Sequence, residues 1–328
     1  MSFKVTIKPS NHQFEAAAQE LLLEAALRSG MNVNYSCNTG TCGECKAKII
    51  SGDTAVIRHH DYSLSEAEKI QNYVLLCSSE ARSDLVIEIS EAFTAEDIPT
   101  QKISTKVAKL DYVTKNNLLL YLRTPRSKSL RFLAGQMVDL HIANYPPISL
   151  PVASCPCNGM VLQFHLQRDE QQPVLKYIFE DLKQSENLQV KGPHGNFTLE
   201  ETSQRPIVMV AEGTGLAPIK SLIEHAITLD LPQSMTLFWL VDKNEAHYLS
   251  NYCRSWELAL DCFVYIPLTH DTSRGNPYEN TVSDTLARCP IETEIDLYLA
   301  GSQQMITQFT HRFIEKGTPQ ARIKALQV

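Results

Sequence analysis

Tyr35-Ser-Cys-Asn-Thr-Gly-Thr-Cys-Gly-Glu-Cys45, followed at a distance by Val74-Leu-Leu-Cys77, is the stretch that decides the fold of this chain. Cys37, Cys42 and Cys45 form a C-x4-C-x2-C run, and Cys77 completes a set of four. That spacing is one used to ligate a 2Fe–2S cluster, whose irons need soft thiolate ligands. A loop wrapped this closely around inorganic sulfide has to be built from small residues. Gly40, Thr41 and Gly43 supply them, and glycine also reaches backbone angles closed to other residues. Two competing readings are scattered structural cysteines and a zinc site. Zinc usually pairs two close C-x2-C or His-containing arms, which this spacing does not offer.

Working outward, residues 3–7 alternate as a strand. Residues 15–29 read as a helix with Leu21, Leu22, Ala25 and Ala26 on one face and Gly30 ending it. Ser63-Leu-Ser-Glu66 has the form of a capping box, and 85–89 reads as a last strand. The segment 91–102 is polar, contains a proline, and predicts a linker. Beyond it, strand-like runs at 103–110, 117–123, 137–142 and 160–167, punctuated by prolines, predict a small antiparallel barrel. A helix is expected at 173–183 and a turn at Gly192-Pro-His-Gly195. From 206 the pattern becomes strand, loop, helix, with further strands at 235–241, 262–267 and 295–299, as in an α/β unit with a mostly parallel sheet.

The expected architecture is therefore multidomain, α+β and α/β: a cluster domain over 1–92, an antiparallel β-barrel over 100–200 and an α/β nucleotide-binding-type domain over 204–328. A chain of 328 residues with a net charge of −7 suits several soluble domains. No basic stripe points to nucleic acid, and no apolar run is long enough to span a membrane. The cluster region carries more carboxylates than cations, which could help it meet a basic partner but reads first as a solvated acidic surface. Four cysteines required as thiolates indicate a reducing compartment, hence the cytoplasm. The remaining five, Cys155, Cys157, Cys253, Cys262 and Cys289, read as unpaired thiols.

Residues 1–90 resemble plant-type ferredoxin domains, on the cysteine run together with Ser51-Gly-Asp53 and Val74-Leu-Leu-Cys77. The resemblance implies a β-grasp fold and one-electron transfer. Residues 100–328 resemble the ferredoxin–NADP reductase superfamily, on Gly213-Thr-Gly-Leu-Ala-Pro218, Gly192-Pro-His-Gly-Asn-Phe197 and Asp296-Leu-Tyr-Leu-Ala-Gly-Ser-Gln-Gln-Met305. The order of the three units is similar to that of CDP-6-deoxyglucoseen reductases and of the reductase components of bacterial oxygenases. This implies an oxidoreductase passing electrons from NAD(P)H through FAD and the cluster to a partner enzyme, an oxygenase or a dehydrase. Gly213, Thr214, Gly215, Pro218 and Gly301 would then line the nucleotide site.

The flavin motifs depart from the superfamily pattern. Its R-x-[YF]-[ST] segment aligns with Ile148-Ser-Leu-Pro151, so Ile148 replaces the phosphate-binding arginine, Leu150 the ring-covering aromatic and Pro151 the hydroxyl residue. A shifted register keeps Ser149 in the hydroxyl position. Further on, Gln172 and Leu175 stand where the family has a glycine and a Ser or Thr, although Arg168 remains nearby. On the nicotinamide side Asp242 replaces a cation, which favours NADH over NADPH. Ala300 replaces a cysteine, and Glu212 precedes the glycine turn. Weak or absent FAD binding is the expectation, and the alternative function is a non-enzymatic 2Fe–2S carrier or docking module.

Overall fold

The computed structural model describes residues 1–271, 277–289 and 294–328. It contains three sheets of five or six strands, one for each predicted unit, and a small two-stranded one.

The first five-stranded sheet has the order β2-β1-β7-β3-β5. Its elements are β1 (Ser2–Lys8), β2 (Gln13–Ala17), α1 (Leu22–Arg28), β3 (Lys46–Ser51), β4 (Thr54–Val56), α2 (Glu66–Ile70), β5 (Tyr73–Leu75), β6 (Ser79–Ala81) and β7 (Leu85–Glu88). β4 and β6 form the separate pair. The predicted helix over 15–29 is shorter than its pattern. Gln13–Ala17 instead pairs antiparallel with β1, placing Phe14 opposite Val5. The reason lies in the alternation of this segment: Phe14 and Ala16 are buried, and their neighbours face solvent. The capping box is also displaced by two residues. Ser65 caps α2 and Glu68 returns the bond, because Glu68 is the residue three positions into the helix.

The second unit is a near-closed antiparallel sheet with the order β11-β10-β13-β8-β9-β12. It comprises β8 (Gln101–Tyr112), β9 (Asn117–Arg123), β10 (Met137–His141), β11 (Ile148–Pro151), β12 (Val161–Gln167), α3 (Pro173–Glu180) and β13 (Asn187–His194). Leu118, Leu120, Leu122, Phe164, Val138 and Val190 fill its interior. Gly192 and Pro193, expected in a turn, instead lie within β13, where Gly192 pairs with Gln101.

The third unit is a parallel sheet ordered β16-β15-β14-β17-β18. It is built from β14 (Ile207–Glu212), α4 (Leu216–Thr228), β15 (Met235–Asp242), α5 (Ser250–Ala259), β16 (Phe263–His270), α6 (Glu279–Arg288), β17 (Asp296–Gly301), α7 (Gln303–Glu315) and β18 (Ile323–Gln327). The chain runs outward from β14 to β16, then returns to the other side of β14 as β17. That reversal opens a crevice at the carboxyl ends of β14 and β17, where α/β sheets bind ligands. Covered on both faces, the central strands β14, β15 and β17 are near-continuous apolar runs, whereas the flanking β16 and β18 are partly exposed.

Arg131 ties the first unit to the second. Its guanidinium donates to the Asn34 side chain at 2.7 Å and to the Asn32 carbonyl at 3.0 Å. Ser129 and Asn38 add backbone bonds across the same joint, to Ser36 and Arg126. No described helix is long and apolar enough to cross a membrane.

Candidate cluster, nucleotide and flavin sites

The four cysteines converge. Cys37, Cys45 and Cys77 are buried, and Cys42 sits at the rim. Gly40 and Gly43 have φ values of +75° and +78°. A Cβ on Gly40 would lie 2.5 Å from the His60 Cβ, and one on Gly43 would lie 2.3 Å from the Tyr62 ring. Both glycines are thus fixed by conformation and by space. The sulfurs are approached by donors: the Glu44 N–H lies 3.5 Å from Cys42 Sγ, the Thr41 hydroxyl 3.6 Å from Cys37 Sγ and the Ser78 hydroxyl 3.7 Å from Cys77 Sγ. Burial opposes charge on Cys37. Hydrogen bonds from Cys42, from the Thr39 and Cys42 backbone and from Thr41 outweigh it, drawing that thiol down to about 6.

Among the described residues no three His, Cys, Asp or Glu side chains converge as a single-ion metal site. Four soft donors, with groups that hydrogen-bond to sulfur beside three of them, would suit a dinuclear iron–sulfur cluster. Bound there, the cluster supplies single-electron chemistry.

The nucleotide crevice is built by close approaches. Gly215 lies so near β17 that a Cβ would come within 2.1 Å of the Ala300 carbonyl oxygen. Trp239 Nε1 donates to the Gly213 carbonyl at 3.0 Å, and Pro218 stands in the first turn of α4, where no N–H is needed. Glu212 is the departure. Its carboxylate accepts from the Ser302 N–H at the start of α7 (2.8 Å) and from the Tyr278 hydroxyl, and it lies 3.3 Å from His270 Nε2. An internal anion therefore occupies the mouth of the crevice, on helix-terminal groups that suit an external anion. Gly301 permits this, since a Cβ there would be 2.7 Å from that of Glu212. Asp242 ends β15, the strand beside β14, and accepts from the Asn244 N–H at 2.9 Å.

β11 and the start of α3 face each other across a cleft of about 480 Å³. Ile148, Ser149, Leu150, Gln172, Leu175 and Thr214 are among its lining residues. The segments aligned with flavin motifs thus meet in space, beside the nucleotide turn. The cleft has room for part of a flavin, but its side chains offer little that is specific to one. Arg168 is engaged by Glu170 at 2.9 Å and Glu180 at 3.1 Å. Ser149 donates to Asp139, which also takes His194 Nε2 at 3.1 Å. Among the described residues no Phe, Tyr or Trp ring lines the cleft. His165 lines it as well; burial holds this imidazole neutral, its Nδ1 meets the Tyr248 hydroxyl at 2.9 Å, and its Nε2 has no partner. The residues present do not match the phosphate and ring contacts of FAD.

Cys155 and Cys157 are not free thiols, as their spacing suggested, but are joined by a disulfide, with Cα atoms 5.2 Å apart. The 3-10 turn over Pro156–Asn158 brings them together. Cys253, Cys262 and Cys289 are free. His165, Tyr278, His270 and Arg131 escaped the sequence reading because each acts through a neighbour distant in the chain.

Residues 5–82 match the family profile of the 2Fe-2S iron-sulfur cluster binding domain, and residues 209–311 that of the oxidoreductase NAD-binding domain. The chain thus combines the two, and it is an electron-transfer reductase. Among its relatives, CDP-6-deoxy-L-threo-D-glycero-4-hexulose-3-dehydrase reductase of Yersinia pseudotuberculosis is 29% identical, with 97% of this chain and 95% of the relative covered. Terephthalate 1,2-dioxygenase, reductase component 1, of Comamonas sp. is 27% identical over 87% of this chain and 85% of the relative. The ferredoxin reductase in carbazole 1,9a-dioxygenase has the same fold, with a TM-score of 0.59 at 21% identity, covering 99% of this chain and 98% of that one. A ferredoxin NADP+ reductase from Neisseria gonorrhoeae with bound FAD and NADP aligns at a TM-score of 0.59 and 15% identity, covering 69% of this chain and 98% of that one.

Proposed function

We propose that the protein is the reductase component of a two-part system, delivering single electrons from a 2Fe–2S cluster held by Cys37, Cys42, Cys45 and Cys77 to a separate acceptor enzyme. The observation that carries this reading is the burial of Cys37, Cys45 and Cys77, with Cys42 at the rim, in a loop whose donors face sulfur. The relatives named above serve a hexulose dehydrase and a dioxygenase, and an acceptor of either class is consistent with the chain. Limits of 1–92, 100–200 and 204–328 for its three domains agree with the separation of the sheets.

Gly213, Thr214, Gly215, Pro218 and Gly301 shape the nicotinamide nucleotide crevice, and Asp242 favours NADH, since a 2′-phosphate would meet its carboxylate. FAD belongs in the cleft beside Ser149, held loosely for want of a free cation and a ring. A second reading has a specific observation behind it. Glu212 already fills the anion position of the crevice, which suits a carrier loaded with electrons by another protein. A reducing compartment such as the cytoplasm suits the cluster ligands under both readings.

The test is anaerobic purification with iron, acid-labile sulfide and flavin determined on the same sample, then reduction by NADH with and without added FAD. About two irons and two sulfides per chain are expected, with NADH reduction accelerated by free FAD. Zinc without sulfide would overturn the cluster. A cluster that dithionite reduces and NADH plus FAD does not would favour the carrier.

A further inference from the structure

The acidic balance of the chain conceals one local reversal. From Tyr112 to Val138 there is no Asp or Glu, while Lys115, Arg123, Arg126, Lys128 and Arg131 all fall within that span. Arg131 is consumed in the joint between the first two units. Arg123, Arg126 and Lys128 are exposed on the barrel, at the end of β9 and in the loop after it. None of the three forms an ion pair with a carboxylate among the described residues.

This loop abuts the cluster. The Arg126 carbonyl accepts from the Asn38 N–H at 3.1 Å, one residue from Cys37, and the Ser129 N–H donates to the Ser36 carbonyl at 2.8 Å. Arg58 lies on the opposite side and donates to the Asn38 carbonyl at 3.1 Å. Between them opens a cleft of about 660 Å³ with Thr39, Arg58, Arg126 and Met160 on its walls. Of the nearby carboxylates, Glu24 pairs with Arg58 and Asp61 lies 3.2 Å from His59, while Glu44 accepts from the neutral Asn34 amide and keeps its charge. The cluster edge is thus flanked by unpaired positive charge supplied by the barrel, although its own domain is acidic.

We propose that the Arg123–Lys128 lip, with the cleft beside Thr39, is the docking surface for the electron-accepting protein, and that the partner presents an acidic patch there. The inference rests on the reading of the chain as a cluster-based electron donor. Complementary charge acts at a distance to raise encounter rates, and it orients the partner over the cluster so that a short transfer path is formed. Each transfer moves one electron from the reduced cluster to the acceptor, so the cluster is oxidised as the acceptor is reduced and no proton is required.

The experiment uses the full chain with its cluster reduced by dithionite, which bypasses nicotinamide and flavin. Cluster oxidation is followed by stopped flow with an acidic acceptor, cytochrome b5, and a basic one, cytochrome c. Reaction with cytochrome b5 is expected to be faster and to slow by about tenfold between low and moderate ionic strength. The double reversal Arg126→Glu with Lys128→Glu is expected to cost cytochrome b5 about tenfold and to speed cytochrome c, with the visible spectrum of the cluster unchanged. A rate with cytochrome b5 that ignores both salt and the reversal would overturn the docking surface while leaving the donor reading intact. A reduced cluster that neither cytochrome oxidises would overturn both.

Discussion

The cluster loop and the cleft between β11 and α3 are two candidate cofactor sites on one chain, built on different physics. Around Cys37, Cys42, Cys45 and Cys77 the ligands, the two space-limited glycines and the sulfur-directed donors are all in place. Around the cleft, the backbone holds the same segments face to face, but Ile148, Leu150, Pro151, Gln172 and Leu175 stand where charge, ring and hydroxyl were expected. A metal cluster is bound by a few strong coordinate bonds, so losing one ligand strips it or leaves it labile. A dinucleotide is bound by many weak contacts spread over a cleft, so contacts can be lost one at a time while the fold survives.

The largest effect therefore belongs to the cysteines. Cys45→Ser is expected to strip the cluster or leave it labile, read as loss of the visible absorbance and of acid-labile sulfide. Cys253→Ser, a buried thiol remote from the loop, should retain both. Equal cluster content in the two variants would erase the contrast between the sites.

Rebuilding the weaker site comes next. Ile148→Arg with Leu150→Tyr restores a phosphate-binding cation and a ring to the cleft. A hydrogen bond to a charged group is worth about 1.5–3 kcal/mol, so FAD affinity should rise by about tenfold or more, by fluorescence titration. Stoichiometric FAD in the unaltered protein would show that the cleft binds flavin through groups other than those motifs name.

In the crevice, Glu212→Gln removes the internal anion yet keeps an amide oxygen able to accept from the Ser302 N–H, with its NH2 turned to the Tyr278 hydroxyl oxygen. NADH should bind several-fold more tightly by calorimetry, an order-of-magnitude expectation from removing one like charge near a phosphate. Asp242→Ser should raise NADPH affinity more than NADH affinity; NADPH preferred by the unaltered protein would contradict the role given to Asp242.

The smallest effect concerns pH. Lys46 donates to Glu68 and, with the Ser65 backbone and hydroxyl, holds that carboxyl down to about 2. A depressed carboxyl stabilises the fold above its ordinary value near 4.5 and loses that contribution as pH falls toward 2. Glu68→Gln should flatten the melting temperature across that interval slightly, leaving it unchanged near neutrality apart from the lost pair. An identical acid profile for both proteins would remove Glu68 from the account.

Much of this was legible locally. The cysteine spacing, the strand–glycine–helix turn at 206–227 and the proline-punctuated strands each depend on neighbours within a few residues, so the three units and the cluster could be read without a structure. The reading slipped where two elements compete for a short segment: Gln13–Ala17 alternates as well as it periodises, and only pairing with β1 resolves it. The capping box was misplaced by two residues for a similar reason, since several serines and glutamates satisfy the pattern and only the start of α2 selects Ser65 and Glu68.

What tertiary structure alone decided is which distant groups satisfy one another. Glu212 looked like an extra charge beside a phosphate site; folding placed it on the Ser302 N–H and the Tyr278 hydroxyl, ninety and sixty-six residues away. Arg168 could have been a phosphate ligand until Glu170 and Glu180 engaged it. Cys155 and Cys157 became a disulfide only through the turn at Pro156. The basic lip stands beside the cluster because Arg126 and Asn38 share a hydrogen bond across a domain joint. The sequence by itself determined the class of fold and the spacing of the candidate cluster cysteines, because spacing and periodicity are written along the chain. Charge balance and accessibility are properties of neighbours in space, and those only the folded molecule settles.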